Sequence, residues 1–334
     1  MGRICKTLCL LITLNVGVVY GDTPDARNKF FTFTFENDIF VGEDDGYTNG
    51  TGITFGSAGF DEFSTSNVPW WIHWLIKDRY INTAPNKTRA IAHMFFQRMQ
   101  TPTVITDSDF IVDDVPYAGL LAWQGTAYSW DANVSDQMSL YLGMVGPVTQ
   151  AEQAQKLIHS AIGSDEPLGW RFQLKNEPVF KIELQRTWKL YRNDSSRFQY
   201  DVVGLGGVGL GNLITATKGG FAVRFGTNLS NSMGGFSLQA DRHVNSLAFT
   251  KTNDFYFFVG ARAGYVAHDI LINGNTFTDS HSVSLEHFQN EAAAGALWSR
   301  NRWAFVFAVL SASAQTELND DRESFGAFSV TYRY

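Results

Sequence analysis

Cysteine occurs at only two positions, Cys5 and Cys9, both within the first ten residues. Past them the chain has no thiol, which excludes disulfides and cysteine-ligated metals from the rest of it. Long apolar runs are scarce too. Leu8 to Tyr20 is mostly apolar, but about thirteen residues fall short of the roughly 20 that a transmembrane helix needs. With Arg3 and Lys6 ahead of it, the segment reads as a secretory signal peptide, residues 1–21, cleaved near Tyr20-Gly21-Asp22. An uncleaved anchor is the alternative. No later run reaches the roughly 18 residues of a helical span. Excess positive charge is also missing: 26 basic residues face 33 acidic ones. Losing Arg3 and Lys6 leaves 24 against 33, or −9. So acidic an export product is a poor nucleic-acid binder, which calls for a basic face.

Aromatic residues and glycine are plentiful: 14 % of the chain is aromatic, with 27 Phe and 30 Gly against 8 Pro. The apolar residues alternate. Phe31, Phe33 and Phe35 share one face of a strand whose other face holds Thr32, Thr34, Glu36 and Asp38. Phe180, Ile182, Leu184, Trp188 and Leu190 alternate with Lys181, Glu183, Gln185, Thr187 and Lys189, and Arg186 alone breaks the apolar face. Phe328, Val330, Tyr332 and Tyr334 repeat the pattern at the C-terminus. A soluble sandwich alternates as well. Charges recurring along one face of long strands, and a final strand ending on an aromatic, favour a transmembrane antiparallel β-barrel with a wet interior. Strands are expected at 29–40, 47–58, 89–99, 117–130, 136–145, 178–191, 198–211, 217–228, 254–268, 288–299, 301–315 and 323–334. Twelve is an even number, which puts both ends in the periplasm and fixes the side of every loop. Residues 22–334 then form one outer-membrane barrel domain.

Two connections, 59–88 and 229–253, are long for the periplasmic side. The first holds PWWIHWLIKDRY, Pro69 to Tyr80. Trp70, Trp71, Trp74 and Leu75 line one side of a short helix, and tryptophan prefers the membrane interface. A surface-lying element is expected, with a plug inside the barrel as the alternative.

The period changes from 2 to 3.6 in GPVTQAEQAQKLIHSAIGSDEPLGW, Gly146 to Trp170. Thr149 and Glu152 have capping-box spacing, so a helix is expected from Gln150, ending at Gly163. Ala151, Ala154, Leu157, Ile158 and Ala161 form its apolar stripe, and Glu152, Gln155 and His159 its polar flank. This short extracellular-loop helix shares the outer side with the 40–47 and 100–117 loops. Asp38 and Thr48 can share the inward face of the first hairpin, while Asn37 points outward unless a bulge re-aims it. A carboxylate, a hydroxyl and a histidine thus converge near one rim. That set suits hydrolysis assisted by a hard cation held by oxygen ligands, with a neutral imidazole deprotonating water. The plainer alternatives are a surface histidine and a solvated rim carboxylate.

FENDIFVGEDDGYTNG, VPYAGLLAW (Val115 to Trp123) and GPVTQAEQAQKLIHSAIGSDEPLGWRFQLKNEP (Gly146 to Pro178) together resemble the outer-membrane lipid A 3′-O-deacylases. The likeness extends over the whole mature chain. It implies a twelve-stranded barrel in the bacterial outer membrane that removes the 3′-linked acyloxyacyl chain of lipid A by Ca²⁺-dependent ester hydrolysis. The resemblance places the catalytic histidine at His159, the Asn-Asp pair at Asn37 and Asp38, and the strand-2 hydroxyl at Thr48. A carboxylate after the helix falls on or near Asp165. Asp38 and Asp165 are then the calcium ligands, and His159, Asn37 and Thr48 the catalytic set. The implied partners are lipopolysaccharide and outer-membrane lipids, and a monomer is expected. One departure stands out. A basic Lys-Arg pair follows the third strand in the family, but here QRMQTPTVITDSDFIVDD (Gln97 to Asp114) carries Arg98 as its only cation. The residues that meet lipid A phosphates are therefore unassigned, and a related acyl ester remains open as substrate.

GLGGVG, Gly204 to Gly209, matches G-x-G-x-x-G but sits within a strand pattern with no helix after it, which argues against a dinucleotide site. Small residues in a barrel wall make room for an inward element or a bend. The other histidines show no metal-ligand spacing. Two rival functions remain: an outer-membrane phospholipase, needing Ser129 or Ser139 beside a wall histidine, and a non-enzymatic barrel or pore.

Overall fold

The computed structural model describes residues 28–37, 49–194, 197–229, 236–238, 244–246, 253–318 and 321–334. Its strands are β1 (Asn28–Asn37), β2 (Asn49–Phe60), β3 (Thr88–Gln100), β4 (Ala118–Trp130), β5 (Val134–Val145), β6 (Glu177–Asn193) and β7 (Gln199–Leu210). They continue with β8 (Ile214–Gly226), β9 (Phe236–Leu238), β10 (Val244–Ser246), β11 (Asp254–Asp269), β12 (Phe288–Arg300), β13 (Trp303–Ala312) and β14 (Glu323–Arg333). Twelve of these close into one barrel, sealed where β1 pairs antiparallel with β14 from Phe30↔Arg333 to Asn37↔Gly326. Closure leaves no unpaired edge, which a lipid environment would penalise. The short β9–β10 ribbon stands apart from the barrel. The alternation rule did not anticipate it, because three residues carry too little of a period-2 signal to register. Four short helices accompany the strands: α1 (Trp70–Ile76), α2 (Tyr80–Thr83), α3 (Ala151–Ile162) and α4 (Ile270–Asn273). No helix among the described residues is long and apolar enough to cross a membrane.

The twelve expected spans each find a barrel strand, with ends displaced by a few residues. Alternation has the expected sense. Phe31, Phe33, Phe180, Ile182, Leu184 and Trp188 are exposed on the outer face, while Thr32, Glu36, Lys181, Glu183, Gln185 and Thr187 are buried inside. The lumen is filled. Phe30, Tyr128, Val203, Ala222, Tyr256, Phe258, Leu297, Ala308 and Phe325 pack as one apolar cluster drawn from inward positions around the ring. Alanines such as Ala222 and Ala308 have no exposure, which requires neighbours to occupy the space in front of them. Several charges in the lumen are paired. Arg224 donates to both oxygens of Asp201 at 2.9 and 2.6 Å. Glu183 accepts from Lys181 at 2.8 Å and Lys218 at 3.0 Å, and Arg262 meets Glu291 at 2.6 Å. A buried charge is tolerated when it is matched this way. The glycine run of β7 serves this network. An added Cβ at Gly207 would lie 3.2 Å from Lys218, and one at Gly209 would lie 3.5 Å from Lys181.

The 61–87 connection folds onto the outside of the wall and is not a plug. The β2–β3 register slips between Ala58 and Phe60, and Gly59 takes a φ of +95° there. Phe60 therefore turns to the outer face. Phe63, Val68, Ile72, Ile76 and Ile81 follow it and pack on Ile91 and Ala127. Ile91 shares the outward face of β3 with exposed Phe95, and Ala127 that of β4 with exposed Leu121. Arg89 pins the segment. Its guanidinium donates to the carbonyls of Ile81 (3.1 Å), Asn82 (2.6 Å), Ala84 (2.5 Å), Lys87 (2.9 Å) and Asp61.

Replacing this hub strips donors from buried carbonyls, each worth about 1–3 kcal/mol when left unmade. Arg89→Met is expected to make the 61–87 connection cleavable by added protease while the barrel stays folded and heat-modifiable. Unchanged resistance would show that apolar packing alone holds the segment.

Candidate functional site

The rim opposite the chain termini carries the 146–176 connection, and the sequence explains how it leans on the wall. Gly119 on β4 has no side chain. A Cβ there would sit 2.2 Å from Thr149 Oγ1 and 2.4 Å from the Ala151 methyl. The start of α3 thus lies directly on the backbone of β4. Beside it, Gln97 on β3 donates from Nε2 to the Thr149 carbonyl at 2.7 Å. Met99, Tyr117, Ala151 and Trp170 form a small apolar cluster that Ala154 joins. Gln97 and Met99 share the outward parity of Phe95, and Gly119 that of Leu121. The helix is therefore on the outside of the barrel, at the rim. Burial pushes the Tyr117 phenol above its ordinary value, so it stays a protonated donor to the Ile105 carbonyl at 3.3 Å.

The expected capping box does not form. Thr149 belongs to a 3₁₀ turn, and its hydroxyl donates to the Gly146 carbonyl at 2.7 Å. Gln150 is left-handed with a φ of +58°, and α3 starts one residue later, at Ala151. Close approach to Gly119 has first claim on the Thr149 side chain. The helix is also rotated from the expected orientation. Leu157, assigned to the apolar stripe, is 73 % exposed, while Gln155 and His159, from the polar flank, are 1 % and 5 % exposed. Ala151, Gln155 and His159 lie at spacings of four, so the buried ridge becomes polar toward its C-terminal end.

That ridge presents a histidine with a defined tautomer. Gly163 ends α3 with a φ of +82°, and the His159 carbonyl accepts from Gly163 N at 2.8 Å and Ser164 N at 3.1 Å. The left-handed turn folds the chain back so that the Asp165 carbonyl lies 2.6 Å from His159 Nδ1. A carbonyl oxygen can only accept, so Nδ1 carries the proton and Nε2 offers its lone pair. One turn earlier, Gln155 Oε1 accepts from Trp170 Nε1 at 2.7 Å. Gln155 Nε2 is buried and has no partner among the described residues. A free acceptor and a free donor therefore sit four residues apart on one covered face. The sequence sets Gln155 four residues before His159, and that spacing is the signal for its role.

Asn37 ends β1. Its pairing with Gly326 of β14 continues an unbroken register, so it keeps the outward parity of Phe31, Phe33 and Phe35, yet it is 5 % exposed. Glu36 pairs with Gly50 and Asn49 with Met99, which pairs in turn with Gly119. Asn37 therefore stands at the height of the Met99–Gly119 rung on which α3 begins, two strands or roughly 10 Å from Met99. Asn37 and the helix share the outer face, not the lumen. Asp38 and Thr48 lie outside the described residues. Asp165 reaches His159 through its backbone carbonyl, while the residue is otherwise exposed. No group of three or more His, Cys, Asp or Glu that could hold a metal occurs among the described residues.

Other candidates resolve plainly. Arg98, the sole cation of its stretch, alternates with outward Gln97 and Met99 and is buried on the lumen side. The acids that follow form turns: Asp114 accepts from Thr103 N and Val115 N, and Asp107 from Asp109 N. Among the described residues no histidine hydrogen-bonds a serine. His268, His281 and His287 bond backbone carbonyls, and His93 stacks between Phe55 and Trp123. Ser139 Oγ is shared with Thr126, and Ser129 Oγ is buried with no partner among the described residues.

The protein family described as "Outer membrane protein LpxR" matches residues 7–334. LpxR from Salmonella typhimurium superposes with a TM-score of 0.72 at 15 % identity, covering 91 % of this chain and 99 % of that one. The beta domain of the Bordetella autotransporter BrkA gives 0.45 at 10 % identity, covering 93 % and 99 %. The translocator domain of the autotransporter NalP from Neisseria meningitidis gives 0.42 at 11 %, covering 93 % and 90 %. No curated protein matches the chain.

The seat of α3 has a direct test. Gly119→Val places a branched side chain where Thr149 and Ala151 now lie. Amide protection across residues 151–162 is expected to fall at least tenfold while that of β11–β13 holds, measured by hydrogen exchange in detergent. Unchanged protection would mean that the wall does not hold the helix.

Proposed function

The chain belongs to the LpxR family of outer-membrane proteins, and on that premise we propose that it is a calcium-dependent lipid A 3′-O-deacylase. The observation that carries this reading is a covered imidazole with Nδ1 held by the Asp165 carbonyl, set on the outer surface of an outer-membrane barrel. An outer-leaflet lipid reaches that surface laterally, without entering the lumen. Leu157, exposed on the same helix, offers an apolar contact to an arriving acyl chain.

The chemistry follows from the residues. His159 Nε2 takes a proton from a water whose oxygen attacks the ester carbonyl. The tetrahedral oxyanion collapses, and the imidazolium returns its proton to the departing sugar alkoxide. Gln155 Nε2, buried and without an acceptor among the described residues, is a donor suited to a developing oxyanion. The donor set fits a hard cation: Asp38 and Asp165 carry carboxylates, and no thiol is near. These two would hold calcium, which would polarise the acyl carbonyl, and Asn37 and Thr48 would complete the catalytic set with an amide and a hydroxyl. The filled lumen gives the pore alternative no support, and the lack of a Ser-His bond among the described residues gives none to a serine phospholipase.

Mass spectrometry of lipid A from cells expressing the protein is expected to show loss of the 3′-linked acyloxyacyl group. His159→Ala should lower acyl release by about 10²- to 10⁴-fold, the usual worth of a general base, in a barrel that remains heat-modifiable. Asp38→Ala should abolish release, and EGTA should silence the wild type until Ca²⁺ is restored. Wild-type turnover in the His159 variant would refute the site, and unchanged lipid A would refute the activity.

A further inference from the structure

The element on the wall below α3 exposes more aromatic surface than a soluble protein tolerates. Trp70 and Trp74, one turn apart on α1, are 74 % and 67 % exposed, and Leu75 and Tyr80 are exposed beside them. The opposite side of α1 is anchored by Ile72 and Ile76 on outward Ile91 and Ala127. Trp71 lies 5.7 Å from Trp123, and Trp123 lies 5.7 Å from His93. Trp123 pairs with Phe95, an exposed residue of the outer wall. The aromatic face of α1 is thus continuous with the wall that this outer-membrane protein presents to lipid.

Two covers share one stripe of that wall. At the α3 end, Met99 and Gly119 lie under the helix; at the terminus end, Ile91 and Ala127 lie under α1 and its flanks. On β3 the outward residues left between the covers are Phe95 and His93, with Gln97 bonded to the turn that opens α3. At about 3.3 Å per residue and a tilt near 40°, the uncovered stretch is roughly 10–15 Å tall. An outer-membrane barrel usually offers a band of about 25 Å.

We infer that α1 is a membrane-inserted anchor. Its Trp70–Trp74–Leu75 face enters the leaflet at the terminus end of the barrel, so that the bilayer against β3 and β4 is bounded by α1 on one side and α3 on the other. The partner is the phospholipid leaflet itself. Tryptophan favours the boundary between headgroups and acyl chains, and a short amphipathic helix buries its apolar face there. The charged pair Lys77–Asp78 (3.8 Å) follows α1 and is solvated, as expected where the chain leaves the membrane.

Site-directed spin labelling tests this with the full chain in phosphatidylethanolamine/phosphatidylglycerol vesicles. Cys5→Ala and Cys9→Ala remove the native thiols, and labels are attached at Trp74→Cys and Asp78→Cys. The position 74 label is expected to collide several-fold more with oxygen than with the water-soluble relaxant NiEDDA, with the order reversed at position 78. Preference for NiEDDA at position 74 would overturn the inference. So would shielding from both, which would mean a protein partner or a second copy on that face. Should the cysteine variants not fold, dibromo-phosphatidylcholine gives a second reading. It should quench wild-type fluorescence more than that of Trp70→Phe/Trp74→Phe, and equal fractional quenching would contradict the anchor.

Discussion

The outer face of a closed barrel in lipid reverses the ordinary rule of burial. Apolar side chains there gain little by turning toward protein, because the surroundings are already apolar; polar ones gain a great deal, because lipid gives them no hydrogen bonds. Helix α3 lies on that outer face, at the rim. Leu157 is left exposed, while Gln155 and His159 are pressed against protein. A helix read by the water-soluble rule comes out rotated, and the rotation is what brings the imidazole under cover.

Each local feature of the site serves that placement. Gly119 lets the helix approach the strand backbone, and Gln97 holds its first turn. Gly163 turns the chain back so that a carbonyl, not a carboxylate, fixes the imidazole. A carbonyl oxygen can only accept, so in the neutral imidazole Nδ1 carries the proton and the Nε2 lone pair is left for a substrate water. The filled lumen belongs to the same logic. Matched pairs such as Arg224–Asp201 and Arg262–Glu291 fill the barrel behind the wall on which the loops rest.

Period-2 alternation made all twelve barrel strands legible, because a wall with lipid outside and paired charges inside imposes opposite chemistry on successive residues. Phe31-Thr32-Phe33-Thr34 and Ile182-Glu183-Leu184-Gln185 leave no other reading. Helix α3 was legible from its change of period and its terminal Gly163. Its capping and facing were not: Thr149 is engaged by the turn at Gly146, and which side of the wall the helix occupies is a tertiary fact. The first hairpin suggested that reactive groups gather inside, with Asn37 the exception. The helix sits with Asn37 on the outside instead. Gln155 was in view as a neighbour of His159, but only the folded chain shows that Trp170 takes its amide oxygen and that its amide nitrogen has no partner among the described residues. The side taken by the Trp-rich segment was likewise settled by packing on Ile91 and Ala127, which no periodicity encodes.

The central claim is that a calcium ion held by carboxylates and the His159 imidazole meet at the rim beside α3. Anomalous diffraction from crystals soaked in a lanthanide, a hard trivalent stand-in for Ca²⁺, tests it most directly. The account predicts a strong peak ligated by Asp38 and Asp165, with Nε2 of His159 facing it across a gap wide enough for one water and an ester carbonyl. A peak confined to the lumen, or to the rim that carries the chain termini, would contradict it.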